Sequence, residues 1–261
     1  MANDKVISLR IKRQDGPKTA PYWEEFHIPY KPNMNVVSVL MEVRKNPVNL
    51  QGKAVNPVVW ECNCLEEVCG ACTMLINGVP RQSCAALIDK IYEQTGFGKQ
   101  ITLAPLTKFP IIRDLMVDRQ RMFENLKRVK AWVNVDGSWA INRGPRFADR
   151  EQRWAYAISR CMTCGCCQEA CPNVSNKSKF IGPSHIAQVR LFNTHPIGEM
   201  QKEERLNALM LEGGIQECGN AQNCRQVCPK EIPLTKHIAA MNKETIKYAF
   251  RRWRYKDSSG Q

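Results

Sequence analysis

Eleven of the chain's thirteen cysteines fall into three spaced groups, and the spacing restricts what they can do. Cys161, Cys164, Cys167 and Cys171 are separated by two, two and three residues, and Pro172 follows the last of them. Cys218, Cys224 and Cys228 form a second run with five and three intervening residues, again closed by a proline, Pro229. The x2-x2-x3-Cys-Pro run supplies thiolates to two cubane iron-sulfur clusters, three to one cubane and the fourth to the other. On the same ruler the second run would carry its middle ligand at position 221, which is Ala221. One cubane corner therefore has no thiolate. Cys161, Cys164, Cys167 and Cys228 are expected to hold a complete 4Fe-4S cluster, and Cys171, Cys218 and Cys224 a cluster one iron short, 3Fe-4S.

Cys64, Cys69, Cys72 and Cys84 have another metre, with four, two and eleven residues between them. The first three follow the x4-x2 spacing that holds a 2Fe-2S rhomb. The loop from Cys64 to Cys72 can turn its amides toward the sulfurs, and Gly70 admits backbone angles that a side chain resists. Asn77-Gly78 reads as a hairpin turn that returns the chain so that Cys84 closes the site.

Disulfides and zinc are the competing uses of so many cysteines. The opening stretch MANDKVISLRIKR lacks the apolar core of a secretory signal, so an oxidising compartment is not expected and disulfides are not favoured. Zinc calls for two Cys-x2-Cys halves at finger-like separation, which the x2-x2-x3-Cys-Pro run does not present. Cys62 and Cys166 fit neither metre. They read as small polarizable side chains beside a cluster, the alternative being a register in which one replaces its neighbour as ligand.

The elements that must position these thiolates divide the chain in two. Val6 to Ile11 alternates at period two, and Glu25 to Ile28 reads as its hairpin partner across Asp15-Gly16-Pro17. Asn35 to Lys45 carries Val36, Val39, Leu40 and Val43 at helical spacing and stops at Asn46-Pro47. A further strand is expected at Ile101-Thr102-Leu103. From Lys108 the pattern becomes helical: Asp114 to Val129 as a solvent-facing linker helix, then Arg153 to Ser159, Glu203 to Glu212 and Leu234 to Phe250 around the cysteine runs. The expected fold is α+β, a β-grasp 2Fe-2S ferredoxin-like domain over 1–106 and an all-α helical ferredoxin-like domain over 107–261.

A formal charge of +13 would ordinarily suggest nucleic acid or an anionic surface. Three oxidised clusters of roughly −2 each bring the loaded chain to roughly +7, so part of the basicity balances its own cofactors. No recognition module accompanies the rest, and nucleic acid is not expected as a partner. Lys127 to Lys130 and Arg251 to Lys256 read as solvated surface, with an acidic subunit or lipid headgroups as the alternative. No stretch approaches the about 18 apolar residues of a membrane-spanning helix. The four histidines, His27, His185, His195 and His237, are scattered and read as surface or core residues, and Gly96-Phe97-Gly98 lacks the third glycine of a nucleotide loop. Centres that change charge by one electron, without a substrate or nucleotide site, make a wire whose terminals lie on other chains.

The order of these features resembles the iron-sulfur subunits of succinate dehydrogenase and fumarate reductase over nearly the whole length. Cys69-Gly70-Ala71-Cys72, Pro105-Leu106, Pro110-Ile111-Ile112-Arg113-Asp114-Leu115, Asp118-Arg119, Lys179-Phe180-Ile181-Gly182-Pro183 and Cys228-Pro229-Lys230 carry the likeness, which points to the menaquinone-linked, Gram-positive type. The resemblance implies a flavoprotein subunit holding FAD and the succinate site, so that no residue here is catalytic. It also implies a membrane-anchor cytochrome b subunit with haem b, and electrons passing from flavin through 2Fe-2S, 4Fe-4S and 3Fe-4S to quinone, or backward for fumarate reduction. It places the chain peripherally on the cytoplasmic face of the cell membrane. Ubiquinone-linked relatives carry a tryptophan pair after the first Cys-Pro and a histidine after the first cysteine of the second run. Here those places hold Ser175-Asn176 and Gly219, which puts a quinone site beside the 3Fe-4S centre in doubt. A soluble fumarate reductase or another oxidoreductase would share the ligand metre without the anchor, and a zinc-bound scaffold is the non-enzymatic alternative.

Overall fold

The structure, a computed structural model, describes residues 5–134 and 148–258, with side chains through Arg254. The start of the opening stretch and the Tyr255 and Lys256 side chains of the basic C-terminal run lie outside the described residues. Two compact units emerge: 1–119 together with 162–169, and 120–161 together with 170–261.

The first unit is built on a mixed sheet. Strand β1 (Val6–Arg13) buries Ile7, Leu9 and Ile11 on one face, as period-two alternation requires. It pairs antiparallel with β2 (Tyr22–Pro29), Leu9 opposite Phe26 and Ile7 opposite Ile28. Helix α1 (Val36–Lys45) begins where the Asn35 side chain accepts the Ser38 amide at 2.8 Å, and it buries Val36, Val39, Leu40 and Val43. Strands β3 (Thr73–Ile76) and β4 (Val79–Gln82) form the expected hairpin, with Asn77 and Gly78 at φ of 49° and 78°. Two positive angles in a two-residue turn match the twist of the flanking strands, which is why Asn-Gly is favoured there. Helix α2 (Ile88–Thr95), absent from the sequence reading, buries Ile88, Ile91 and Tyr92. Strand β5 (Ile101–Ala104) runs parallel to β1 and antiparallel to β3, giving the order β2-β1-β5-β3-β4, the expected β-grasp arrangement. Each fully buried Ile, Leu or Val of this core contributes about 1.5–3 kcal/mol relative to exposure.

The linker helix expected from Asp114 starts later. Ile111–Arg113 and Met116–Val117 instead form a small hairpin, β6 and β7, with Asp114 at φ 47° in its turn. Asp114 is wholly buried: its carboxylate accepts Arg13 Nε at 2.8 Å and the amides of Gln14 and Val59 at 3.1 and 2.9 Å. Burial works to lower the Arg13 pKa, but the hydrogen bond and charge of Asp114, with Glu24 beside it, outweigh this and hold it above its ordinary value. An apolar period running through 114–129 cannot reveal a carboxylate committed to a residue a hundred positions earlier. The helix proper, α3, spans Gln120–Arg128.

The second unit is helical. Besides α3 it contains α4 (Asp149–Ser159), α6 (Pro183–Thr194), α7 (Lys202–Met210), the single turn α8 (Asn223–Gln226) and the 25-residue α9 (Leu234–Ser258); α5 (Cys166–Glu169) belongs to the first unit. Val129, Phe180, Ile181, Ile186, Val189, Leu206, Leu209, Ile215 and Met241 make its core. Arg205, fully buried, donates to the carbonyls of Lys130, Gly198 and Trp132. His185 is fully buried with Nε2 2.9 Å from the Met122 carbonyl.

Candidate iron-sulfur sites

The loop from Cys64 to Cys72 wraps its amides around sulfur. Leu65, Glu67 and Gly70 all take positive φ, of 61°, 55° and 74°, which turns successive N–H groups inward. The amides of Glu66, Val68 and Cys69 donate to Cys64 Sγ at 3.4, 3.4 and 3.3 Å, and Ala71 donates to Cys69 Sγ at 3.5 Å. Those three donors lower the Cys64 thiol to about 7, toward the thiolate a metal requires. Cys72 and Cys84 are buried side by side at either end of the β3–β4 hairpin, and burial pushes the Cys72 thiol up to about 12. Cys69 and Cys84 also lie close enough to Cys62 to raise its pKa, after burial itself. The four expected ligands thus share one locality, and four sulfurs with backbone amides donating to two of them fit a 2Fe-2S rhomb.

The first cubane run has residues in both units. Cys161 follows α4 in the second unit, as does Cys228 after α8, while Cys164 and Cys167 stand on the 162–169 segment of the first. Thr163 and Gly165, at φ 54° and 88°, flank Cys164. The Cys166 thiol bonds the Cys164 sulfur and leads the causes that lower Cys164 to about 7, ahead of the opposing burial, with Arg119 contributing. Cys166 itself is fully buried.

Cys171, Cys218 and Cys224 line one pocket of the second unit, and Ala221 lines it with them. Burial, then the nearby Cys171 and Cys218 thiols, push Cys224 up to about 11. Asn220 and Gln222 take positive φ, of 53° and 63°, so the chain coils tightly through Ala221. Three converging soft donors with an alanine on the fourth wall fit a cluster with one corner unligated. A Cβ added at Gly219 would lie 3.1 Å from Asn173 Oδ1, so Asn173 occupies the space a longer side chain would need there.

The family of 2Fe-2S iron-sulfur cluster binding domains matches residues 8–124, and that of 4Fe-4S dicluster domains matches residues 157–232. The chain is 57% identical to the succinate dehydrogenase iron-sulfur subunit of Bacillus subtilis, over 96% of this chain and 97% of that one. The chain belongs to the succinate dehydrogenase iron-sulfur subunit family. A fumarate reductase iron-sulfur subunit of Wolinella succinogenes is 27% identical over 93% of this chain and 98% of its own. In fold, the chain resembles one from the Mycobacterium smegmatis Sdh1 complex in the apo form, with a TM-score of 0.71, 22% identity, and coverage of 95% of this chain and 98% of that one. The family resemblance read from the cysteine metre is thereby borne out, as is the α+β class. Family membership makes this chain one subunit of a larger enzyme, and among the described residues no helix is long and apolar enough to cross a membrane.

Sequence reading passes over the residues that hold the family's loops in place. Buried Glu169 accepts the Thr107 amide and hydroxyl and the Lys108 amide, which ties the segment carrying Cys164 and Cys167 to the stretch after β5. Arg119 enters the sequence reading only as part of a likeness, yet its guanidinium grips the carbonyls of Gly70 and Ala71. No local signal marks either one, since each acts across some fifty residues or more of chain.

Proposed function

We propose that this chain is the electron-transferring subunit of a membrane-associated succinate dehydrogenase, with Cys64, Cys69, Cys72 and Cys84 holding 2Fe-2S, Cys161, Cys164, Cys167 and Cys228 holding 4Fe-4S, and Cys171, Cys218 and Cys224 holding 3Fe-4S. When bound, the clusters supply one-electron centres between the FAD of a flavoprotein subunit and a quinone reached through a haem-bearing cytochrome b anchor. The observation that carries the reading is the pocket in which Cys171, Cys218 and Cys224 converge with Ala221 at the remaining wall. A three-iron centre in the second run and complete sets elsewhere are what that chemistry asks for.

The chain's own residues do the positioning. The amides of Glu66, Val68 and Cys69 stabilise negative charge on Cys64, and each such bond favours the reduced state of whatever the sulfur ligates. Asn173, set against Gly219 where ubiquinone-linked relatives carry histidine, supports a quinone site away from this pocket, in keeping with menaquinone bound at the anchor. Peripheral attachment to the cytoplasmic face of the membrane follows from the same reading. Succinate oxidation is favoured over the reverse direction by the 57% likeness to a succinate dehydrogenase subunit against 27% to a fumarate reductase subunit.

Redox-titrated electron paramagnetic resonance of the purified complex tests this. Three signals are expected: one from oxidised 3Fe-4S and two from reduced 2Fe-2S and 4Fe-4S. Equimolar zinc without acid-labile sulfide would refute the ligand assignment.

A further inference from the structure

Arg119 stands between β7 and α3, at the end of the first unit, with its side chain 13% exposed. Its Nη1 donates to the Gly70 carbonyl at 2.6 Å, and its Nη2 to the carbonyls of Ala71 and, more weakly, Thr73, at 2.7 and 3.4 Å. Gly70 and Ala71 are the two residues between Cys69 and Cys72. The nearest carboxylate, Glu61, is 4.0 Å away, and Arg119 Nε is buried without a hydrogen-bond partner among the described residues. A part-buried guanidinium whose hydrogen bonds go to neutral carbonyls remains a positive charge, since arginine does not lose its proton.

What Arg119 grips is itself in contact with a ligand of the other cluster. A Cβ built on Gly70 would fall 2.7 Å from Cys164 Cα and 2.8 Å from Cys164 Cβ. Backbone approach that close admits only glycine, and φ of 74° would add a cost of about 1 kcal/mol for any side chain. The loop carrying Cys69 and Cys72 is thus seated directly against Cys164.

We propose that Arg119 is a positioning residue of the electron path: it pins the Cys69–Cys72 segment against Cys164 and places one positive charge beside the two ligand sets. This rests on the ligand assignment given above. A fixed cation near a cluster stabilises its reduced form and raises its potential, and a backbone contact between two ligand loops fixes the distance the electron crosses.

The test is a redox titration by paramagnetic resonance of the whole complex carrying Arg119→Gln, Arg119→Lys or Gly70→Ala. Loss of charge in Arg119→Gln is expected to move both the 2Fe-2S and the 4Fe-4S midpoints downward, and Arg119→Lys to restore most of both. In Gly70→Ala the loop must leave Cys164, so the magnetic interaction between the two reduced centres is expected to weaken. A residue that served only the fold would lower cluster occupancy without moving the midpoint of the clusters that remain. Unshifted midpoints in Arg119→Gln overturn the charge role, and an unchanged interaction in Gly70→Ala overturns the seating. Should Arg119→Gln fail to assemble, a 4Fe-4S midpoint in Arg119→Lys far below the unmodified one overturns the proposal, because the charge would still be present. Absence of these signals from the unmodified complex would instead defeat the ligand assignment, so the two failures are distinguishable.

Discussion

Ala221→Cys offers the sharpest perturbation of the second cysteine run. Ala221 is exposed, on the wall of the pocket that Cys171, Cys218 and Cys224 line, between two residues already in left-handed conformation. A sulfur added there displaces no packed neighbour, so the fold should change by no more than about 0.5 kcal/mol. It supplies the absent corner thiolate, and the iron content should rise from about nine to about ten per chain as 3Fe-4S becomes 4Fe-4S. The added anionic ligand lowers the potential, and every about 59 mV of that fall shifts the one-electron equilibrium tenfold against reduction of this centre. Paramagnetic resonance of the air-oxidised complex reads the result directly: the 3Fe-4S signal should decline toward zero while the other two centres persist on reduction. Succinate-dependent quinone reduction should fall, whereas turnover with a dye that accepts electrons at the flavoprotein should hold. An undiminished 3Fe-4S signal in a folded complex carrying Ala221→Cys would refute the alignment of the two runs, and with it the argument that the fourth corner lies at position 221.

Asp114→Ala leaves Arg13 buried with Glu24 as its remaining carboxylate and should destabilise the first unit by about 3–5 kcal/mol in denaturant unfolding; a loss under about 1 kcal/mol would mean the pair is not buried as described. Burial holds His185 at about 4, with Arg121 adding to the effect and the Met122 carbonyl opposing it. Its folded value lies below the unfolded one of about 6.5, so the stability it lends is present above about pH 6.5 and lost as pH falls toward 4, about 2 kcal/mol by about pH 5, measurable as a drop in unfolding midpoint. Cys166→Ala should retain all three clusters by iron and sulfide analysis while Cys167→Ala loses 4Fe-4S; the opposite pattern would exchange their roles.

What the sequence makes legible is whatever repeats locally. Alternation at Val6–Ile11 and the Asn77-Gly78 turn are dictated within a few residues, and both elements appear where the pattern puts them. Helix α6 gives no such signal because it is buried almost all round, with Pro183, Ser184, His185, Ile186, Ala187, Gln188 and Val189 in succession, so no polar face sets up a period. The false start of the linker helix at Asp114 has the opposite cause. A periodic pattern is present, and a long-range ion pair with Arg13 takes the segment into a hairpin instead. The proposed ligand sets rest on thiolate spacing, which is local, whereas the residues that hold those loops in place, Arg119 and Glu169, are defined only by what the fold brings to them.

The ligand loops also show why their sequences look as they do. Leu65, Glu67, Thr163, Asn220 and Gln222 all adopt positive φ, a conformation that costs a residue with a side chain about 1 kcal/mol. Glycine at those places would remove the cost, yet glycine stands instead at Gly70, where the backbone of Cys164 approaches. The strain lies beside the cysteines because turning successive amides toward one sulfur demands it: three N–H groups meet Cys64 across only five residues. A loop so shaped has few reasons to hold that form unless a multiply charged group sits among its donors. On the proposed ligand assignment, cluster binding and local folding are one event, and the thiolates that would hold the iron also make the loop conformation favourable.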